Sequence, residues 1–445
     1  MKIKSIKMVL IIIVMISFVM APFSMAETMI ENKTDVAEIE TMIEEDIFKD
    51  ITAPNLILAE TNSDRIFYER KADEKIYPAS VTKLMTAILV VENCKLEDKV
   101  IVSKNAVQSV PYGYVNANLK VGEQLTVKDL LYALLLPSAN DAANSLAEHV
   151  GGSIDNFAIM MNEKATALGC TNTHFTNPSG LHEKEHYTTT KDLLYIARKA
   201  ISNPTIKKIM EATKYTLPRT NQYSKIDRIL TTTNYMKRKE LKKYYYDYCI
   251  GGKTGYTGQA KNCVVEFIEK DGIELTAIVM GEDAKIKGKK FLDAKKMAEY
   301  IFTNYEKKRV AIENQQYETI TIINGTKDTR KLEVVYKDNL TILTKKVKET
   351  DEETIKTKVE YQKTKAPIQK GEVVGTITHE YDGIKYSTQL KAGSNVEESK
   401  LLEQTLIMGI VGLIVIIVII YIMKKSNRND LKKLNKSYQR KNKKR

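Results

Sequence analysis

Cysteine is scarce in this 445-residue chain. Cys94, Cys170, Cys249 and Cys263 are few and far apart, which excludes a disulfide framework as the basis of the fold. Cys249 and Cys263 flank a glycine-rich stretch and could face each other on neighbouring strands, although two buried thiols suit them better. Net charge is also missing from most of the chain. The formal charge of +13 would by itself point to nucleic acid or anionic lipid. Yet residues 1–26 carry Lys2, Lys4 and Lys7 with no acid, residues 424–445 carry eleven Lys/Arg against Asp430 alone, and residues 27–423 are left neutral. The basic excess belongs to topology rather than to a binding surface, so no nucleic-acid partner is expected.

The lysines at the start precede an apolar run from Met8 to Met20, with small residues Ser24 and Ala26 before Glu27. This reads as a secretory signal cleaved after Ala26, with an uncleaved signal anchor as the alternative. Near the other end, Thr405–Met423 is apolar apart from Thr405 and Tyr421, nineteen residues, or about 28 Å of helix, enough to span a bilayer core. Lys424, Lys425, Arg428, Lys432 and Lys433 follow at once. By the positive-inside bias the tail is cytoplasmic and residues 27 to about 404 face outward.

Between the ends, Pro78-Ala79-Ser80-Val81-Thr82-Lys83-Leu84-Met85 organises the rest. Of all the serines, only Ser80 has a lysine three residues on. Pro78 suits an extended approach and Leu84, Met85, Ala87, Ile88 and Leu89 follow, so Ser80 is expected at a helix start with Lys83 one turn later on the same face. A serine hydroxyl is a poor nucleophile until a base takes its proton, and an amine at i+3 reaches it without a histidine. The helix N-terminus also offers free N–H groups to an oxyanion. A capped helix with a solvated lysine would have the same spacing, so the motif needs support from elsewhere.

Two further stretches provide it. Val127–Leu136 has a helical period and stops at Pro137; Ser138-Ala139-Asn140 follows, before a second apolar helix through Ala142, Ala143, Leu146 and His149. A Ser-x-Asn turn between two buried helices can aim a hydroxyl and an amide at one point, although serine and asparagine also serve as plain N-caps. Lys253-Thr254-Gly255 occurs nowhere else in the chain. The glycines around it let a substrate backbone lie against a strand edge, with Lys253 as a cation beside it.

Residues 27–50 hold nine acids against two lysines and read as a solvated lead-in. Asn55–Thr61 and Arg65–Glu69 predict a hairpin. Residues 154–215 look helical, broken at Asn177-Pro178-Ser179-Gly180-Leu181. Next, His182-Glu183-Lys184-Glu185-His186 formally satisfies the zinc-protease helix signature. A Pro/Gly turn precedes it and the helix-poor Tyr187-Thr188-Thr189-Thr190 follows, so a surface loop is expected there and no metal site. Residues 236–248, dense in lysine and tyrosine, read as a solvated loop over the cleft. Cys263–Ile268 and Glu274–Met280 read as strands, and Phe291–Tyr305 as an amphipathic closing helix. Strands at both ends of a helical middle give an α+β fold, a helical part docked on an antiparallel sheet. From about residue 316 the sequence alternates as 317–323, 332–336, 340–343, 359–361, 372–375 and 385–390. Turns at Asn324-Gly325, Lys370-Gly371 and Asp382-Gly383 make this a small β-sandwich that spaces the first domain from the membrane.

Ser80-x-x-Lys83, Ser138-x-Asn140 and Lys253-Thr254-Gly255, in that order, resemble the serine D-alanyl-D-alanine carboxypeptidases, the low-molecular-mass penicillin-binding proteins of bacteria. The similarity covers nearly the whole ectodomain through Pro78–Thr86, Leu136–Ala143, Asn177–Leu181, Lys253–Thr257 and Ala366-Pro367-Ile368-Gln369-Lys370-Gly371. It implies a penicillin-binding/β-lactamase-like catalytic domain and an enzyme that removes the terminal D-alanine of peptidoglycan stem peptides. By the same resemblance Ser80 is the nucleophile, Lys83 its general base, Ser138 a proton relay and Asn140 a holder of Lys83 and the substrate amide. Lys253, Thr254 and Gly255 line the carboxylate site, and the N–H groups of Ser80 and Tyr256 form the oxyanion hole. No cofactor is implied. β-Lactam antibiotics are implied as covalent inhibitors.

Three departures accompany the resemblance. Gly252 stands where the family usually has a branched apolar residue, Lys261 stands where a glycine is common after Ala260, and Thr405–Met423 looks able to cross a membrane on which many relatives only lie. The expected organisation is signal 1–26, lead-in 27–50, catalytic domain 51–307, β-rich spacer 308–395, linker 396–404, membrane helix 405–423 and basic tail 424–445. A β-lactamase would share the motifs, but its Glu-x-x-x-Asn is absent between residues 130 and 200. A penicillin sensor would need a cytoplasmic effector, and a metalloprotease would need the zinc helix discounted above.

Overall fold

Alternating apolar segments from both ends of the first unit meet in one sheet. The computed structural model describes residues 48–283, 285–346 and 355–442. The expected signal and residues 27–47 of the lead-in lie outside the described residues. The chain divides into two compact units at Glu306/Lys307.

In the first unit the sheet contains β1 (Asn55–Glu60), β2 (Ile66–Arg70), β3 (Cys249–Thr257), β4 (Lys261–Lys270) and β5 (Ile273–Glu282). The order is β2-β1-β5-β4-β3, and every neighbouring pair is antiparallel. β1 is buried at every residue and pairs with β5 on its other side, Ile57 opposite Ile278. β3, which carries Lys253-Thr254-Gly255, is an edge strand.

The helical part comprises α1 (Lys83–Asn93), α2 (Lys104–Gln108), α3 (Val127–Leu135), α4 (Asn140–Gly151), α5 (Ile154–Ala167), α6 (Thr190–Ile201) and α7 (Pro204–Glu211). A helix that is apolar all round belongs in a core. α1 meets that description: Lys83 to Val90 is buried without a break, and α3, α4, α5, α6 and α7 pack around it. α3 opens on a capping box between Thr126 and Asp129 and buries Leu130, Leu131, Leu134 and Leu135. α8 (Lys289–Asn304) closes the unit against β4 and β5. The α+β class is therefore the one that the residues predict.

Three segments differ from the sequence reading. Residues 168–189 are not helical; they are a turn region tied by isolated bridges, Ile76 to Thr188 and His174 to Tyr187. Lys214–Leu217 pairs with Arg228–Thr231 as an unanticipated small hairpin. The lysine/tyrosine run at 236–248 is more anchored than a solvated loop: Met236 and Tyr246 are buried, and the ring of the preceding Tyr235 stacks on Phe291 at 5.0 Å. Aromatic rings find packing that a count of lysines conceals.

The second unit begins within β6 (Tyr305–Ala311) and contains β7 (Gln316–Thr321), β8 (Lys331–Tyr336), β9 (Leu340–Lys345), β10 (Lys356–Tyr361), β11 (Val373–Tyr381) and β12 (Ile384–Ala392). A five-stranded antiparallel sheet, β7-β8-β12-β11-β10, accompanies a two-stranded β6-β9 pair. β6 escaped the sequence reading because Glu306, Lys307, Lys308 and Arg309 mask its alternation. Asp382 and Gly383, both at positive φ, turn β11 into β12. α9 (Leu401–Asn442) is a continuous helix, longer at both ends than its apolar stretch, with Leu406 through Met423 exposed. Among the described residues it is the one helix long and apolar enough to cross a membrane.

All four cysteines are free. Cys249 lies opposite Ile268 and Cys263 opposite Gly255, so the two thiols do not face each other across the ladder. Burial pushes the Cys170 thiol up to about 12 and Cys263 to about 11, and lifts Cys249 well above the usual thiol range. With a thiol reagent under native conditions, only Cys94 should react, the other three following after unfolding. A second fast thiol in the native protein would contradict this packing.

Candidate active site

Ser80 sits in a 3-10 turn, Ala79–Thr82, that runs directly into α1. The sequence reading placed Ser80 at the start of an α-helix; the tighter turn replaces that first α turn, and Lys83 is the first α-helical residue. The difference is useful, because residues three apart eclipse on a 3-10 turn. Lys83 Nζ accordingly lies 3.0 Å from Ser80 Oγ. Ala79 holds a φ of +49°, in the left-handed region that costs an L-residue about 1–2 kcal/mol.

The other two neighbours of the amine come from distant segments. Lys83 Nζ is 2.7 Å from Asn140 Oδ1, at the first residue of α4, and 2.7 Å from the Ser179 carbonyl in the Asn177–Leu181 turn. Both of these oxygens can only accept. A neutral amine has two hydrogens to donate to them, and its lone pair is then left pointing at Ser80, the one neighbour with a proton to give. Burial holds the amine well below the usual lysine range; the Lys253 charge depresses it further, and Asp141 pulls the other way.

Lys253, also without solvent exposure, donates to Ser138 Oγ at 2.9 Å and to the Thr254 carbonyl at 2.7 Å. Its pKa falls to about 7, through burial first and then the nearby Lys290. Ser138 occupies the turn between α3 and α4 at a φ of +70°, which aims its hydroxyl at Lys253 rather than along a helix. Gly255 brings the strand to the serine: a Cβ there would stand 3.1 Å from both Ala79 Cβ and Ser80 N. Tyr256, next along β3, is exposed at the rim.

A cleft of about 450 Å³ joins Ser80, Ser138, Thr254, Gly255 and Tyr256, with Tyr112 and Tyr114 on its other lip. A second cavity of about 630 Å³ adjoins it at Thr254 and Lys290 and is walled by Thr231–Thr233, Tyr235, Arg238 and Lys287. All eight residues singled out in the sequence therefore belong to one neighbourhood. Lys261 takes a φ of +58°, the backbone a glycine adopts freely, and leaves β3 and β4 paired through Thr257.

Several contributors had no usable signal in the sequence. Ser179 acts through its carbonyl, which every residue possesses. Thr233 lies in a plain threonine run, with its Oγ1 2.6 Å from Thr254 Oγ1. Lys290, buried on α8, reaches the Cys263 carbonyl at 3.1 Å. Asp141 could have been noticed as an acid in the first turn of α4. Its carboxylate accepts from the backbone N–H groups of Ala117, Leu119 and Ala142 at 2.9–3.0 Å.

The His182–His186 stretch is a turn, not a helix, so its two imidazoles share no helix face. His182 packs edge-on against Tyr77. His186 is buried, where a surface position was expected, and its two nitrogens are occupied. Nδ1 accepts from Thr176 N–H at 3.1 Å, which leaves Nε2–H to donate to Thr82 Oγ1 at 2.8 Å. Burial, with His174, His182 and Lys83 nearby, lowers this histidine to about 3, so it stays neutral and ties the Ser80 turn to residues 174–190.

The sequence pattern of the D-alanyl-D-alanine carboxypeptidase family matches residues 40–284, and that of the penicillin-binding protein 5 C-terminal domain matches residues 305–398. The chain is 31% identical over 336 residues to D-alanyl-D-alanine carboxypeptidase DacF of Bacillus subtilis, covering 74% of this chain and 82% of that one. It is 28% identical over 379 residues to D-alanyl-D-alanine carboxypeptidase DacA of Haemophilus influenzae, covering 82% and 91%. Among solved structures, penicillin binding protein 5 from Haemophilus influenzae superposes with a TM-score of 0.62 at 26% identity over 78% of this chain and 98% of that one. A peptidoglycan synthesis regulatory factor from Streptococcus pneumoniae shares the fold with a TM-score of 0.68 at 23% identity, over 78% and 100%.

The network around Asp141 can be tested on its own. Asp141→Ala strips the acceptor from two buried loop N–H groups, those of Ala117 and Leu119. It should cost about 2–5 kcal/mol of stability, read as a lower denaturant midpoint, with Asp141→Asn losing less. An unchanged midpoint would remove Asp141 from the network.

Proposed function

Because the chain belongs to the D-alanyl-D-alanine carboxypeptidase family, we propose that Ser80 is the nucleophile of a serine-type carboxypeptidase acting on peptidoglycan stem peptides. The observation that carries this reading is the Lys83 amine, 3.0 Å from Ser80 Oγ, with two acceptor-only oxygens on its remaining sides. Ser80 Oγ attacks the carbonyl carbon of the penultimate D-alanine and its proton passes to Lys83 Nζ. The N–H groups of Ser80 and Tyr256 receive the oxyanion. Ser138 relays the proton held on Lys83 to the departing D-alanine nitrogen, the C–N bond breaks, an ester to Ser80 remains, and Lys83 is again the free amine. Water attacks this acyl-enzyme as Lys83 takes its proton, the ester C–O bond breaks as Lys83 returns that proton to Ser80 Oγ, and the shortened peptide leaves.

Lys253 and Thr254 hold the terminal carboxylate, and Asn140 keeps Lys83 and the substrate amide in line. β3, at the edge of its sheet, suits an extended peptide laid beside it. Penicillins, which imitate the D-Ala-D-Ala end, acylate the same oxygen. Residues 51–307 form the catalytic domain and 308–395 the spacer. The apolar stretch of α9 fits membrane anchoring; we read it as a single pass over 405–423 that leaves the 424–445 tail in the cytoplasm and the catalytic domain outside.

Full-length protein in detergent, given a peptide ending in D-Ala-D-Ala, should release free D-alanine; penicillin should block this and EDTA should not. Ser80→Ala should abolish both release and labelling by radioactive penicillin, and Lys83→Ala should slow acylation about 10²–10⁴-fold. Absence of release, or release sensitive to EDTA alone, rejects the assignment.

The two lysines also set opposite limbs of a pH profile. Lys83 works as the free amine, so kcat should fall as pH drops through its depressed pKa. Lys253 works as the cation, so KM should rise as pH climbs through about 7. Lys253→Arg keeps the charge at high pH and should flatten that rise in KM. A wild-type KM flat across neutral pH would separate Lys253 from carboxylate binding.

A further inference from the structure

A carboxyl group that takes no part in this reaction lies beneath the cleft. Glu266, on β4, has no solvent exposure and faces Gly252, the residue before Lys253, across the strand pair. A Cβ at position 252 would stand 2.5 Å from Glu266 Oε2 and closer still to the Val265 carbonyl. The branched apolar residue usual at this position in the family would not fit. Its space is filled by the β4 backbone and the Glu266 carboxyl, so the glycine and the glutamate are parts of one arrangement.

The carboxyl is aimed at the cavity wall. Glu266 Oε2 accepts from Asn234 Nδ2 at 2.7 Å and from the Cys249 thiol at 3.4 Å. Asn234 in turn ties its own turn together: its Oδ1 accepts from Met236 N–H at 2.9 Å and its N–H donates to Thr232 Oγ1 at 3.2 Å. Between these two tethers stands Thr233, with its hydroxyl 2.6 Å from that of Thr254 and its N–H donating to the Leu136 carbonyl at 3.0 Å, just before Pro137 and Ser138. The segment Thr231–Arg238 thus forms one wall of the 630 Å³ cavity and meets Thr254 through the Thr233–Thr254 hydroxyl pair.

We propose that Glu266 is a positioning residue: acting through Asn234, it holds Thr233 against Thr254 and so fixes the wall on which the substrate's terminal carboxylate binds. The inference rests on the assignment of Thr254 to that carboxylate. The charge state is consistent with it. Burial pushes the Glu266 carboxyl up to about 8, against the pull of Asn234, Cys249, Lys290 on α8 and Lys237 in the turn. Burial thus favours the neutral acid, and its Oε1 has no partner among the described residues. Glutamine has the shape and acceptor of that neutral acid and should substitute for it, whereas alanine should not.

The test compares wild type, Glu266→Ala, Glu266→Gln and Asn234→Ala as full-length proteins, with steady-state D-alanine release and thermal unfolding measured on each. Glu266→Ala should raise KM for the D-Ala-D-Ala peptide about tenfold and leave kcat within about twofold. Asn234→Ala should do the same, the double variant should be no worse than either single one, and Glu266→Gln should stay close to wild type. The inference is overturned by an unchanged KM in Glu266→Ala, by a fall in kcat at constant KM, or by Glu266→Gln as impaired as alanine. Should Glu266→Ala fail to fold, Asn234→Ala and Glu266→Gln decide by the same KM criterion. A wild type that releases no D-alanine would sink the proposed function instead, so the two failures are distinguishable.

Discussion

A lysine amine held under a serine hydroxyl, its charged form disfavoured by burial, is the constraint on which the rest of this molecule depends. An ammonium withdrawn fully from water is costly unless it is paired, and among the described residues the partners of Lys83 Nζ are a hydroxyl, an amide oxygen and a carbonyl rather than a carboxylate. The protein resolves this by favouring the free amine, which two acceptors satisfy and whose remaining lone pair is useful. The demand reaches back into the fold. α1 must be buried from its first residue, so it must be apolar on every side, and five other helices must surround it. The long apolar run after Lys83 is the sequence expression of that requirement.

The two halves of the catalytic unit contribute unlike parts. The helical part supplies the hydroxyl, the amine and the Ser138/Asn140 turn, all in conformations that helices alone do not produce: a 3-10 turn and two non-glycine residues at positive φ. Strain of this kind persists only where packing over-determines it. The sheet supplies a straight edge with a cation on it and presses that edge, through Gly255, against the serine turn. The buried amines then act on each other in sequence, Lys290 lowering Lys253 and Lys253 lowering Lys83, each effect secondary to burial. Moving β3 away by the width of a methyl group would loosen both the geometry and the electrostatics.

The local parts of this arrangement were legible in the chain. Ser80 and Lys83 are three residues apart, Ser138 and Asn140 two, and Lys253 to Gly255 contiguous, so their chemistry could be read before any fold was known. The hairpin of β1 and β2, the period of α3 and the strands β4 and β5 were legible for the same reason. What could not be read was of two kinds. Some contributors are generic: the Ser179 carbonyl and the Thr233 hydroxyl differ in nothing from dozens of others until the fold places them. Other segments carried a misleading surface character. Lysines hid the aromatic anchoring of residues 235–248, charges hid β6, and a formal metal-binding pattern hid a structural histidine whose two nitrogens hold Thr176 and Thr82.

The two departures inside the catalytic unit differ in physical kind. Lys261 holds the positive φ that a glycine adopts freely; its side chain is exposed, so its presence there costs about 1–2 kcal/mol of backbone strain. Gly252 is different, because it lies in the sheet, in a strand interior where glycine is entropically poor and leaves volume unfilled. A strand that gives up a side chain one residue before its functional lysine must gain something that enters the vacated space. There, a neighbouring backbone carbonyl and a buried carboxyl crowd the position, and the carboxyl leads by two hydrogen-bonded steps to the cavity wall. An unfavourable local choice that is filled so completely has been exchanged for a contact elsewhere, which is why the glycine that looked like a weakness in the sequence marks a connection in the fold.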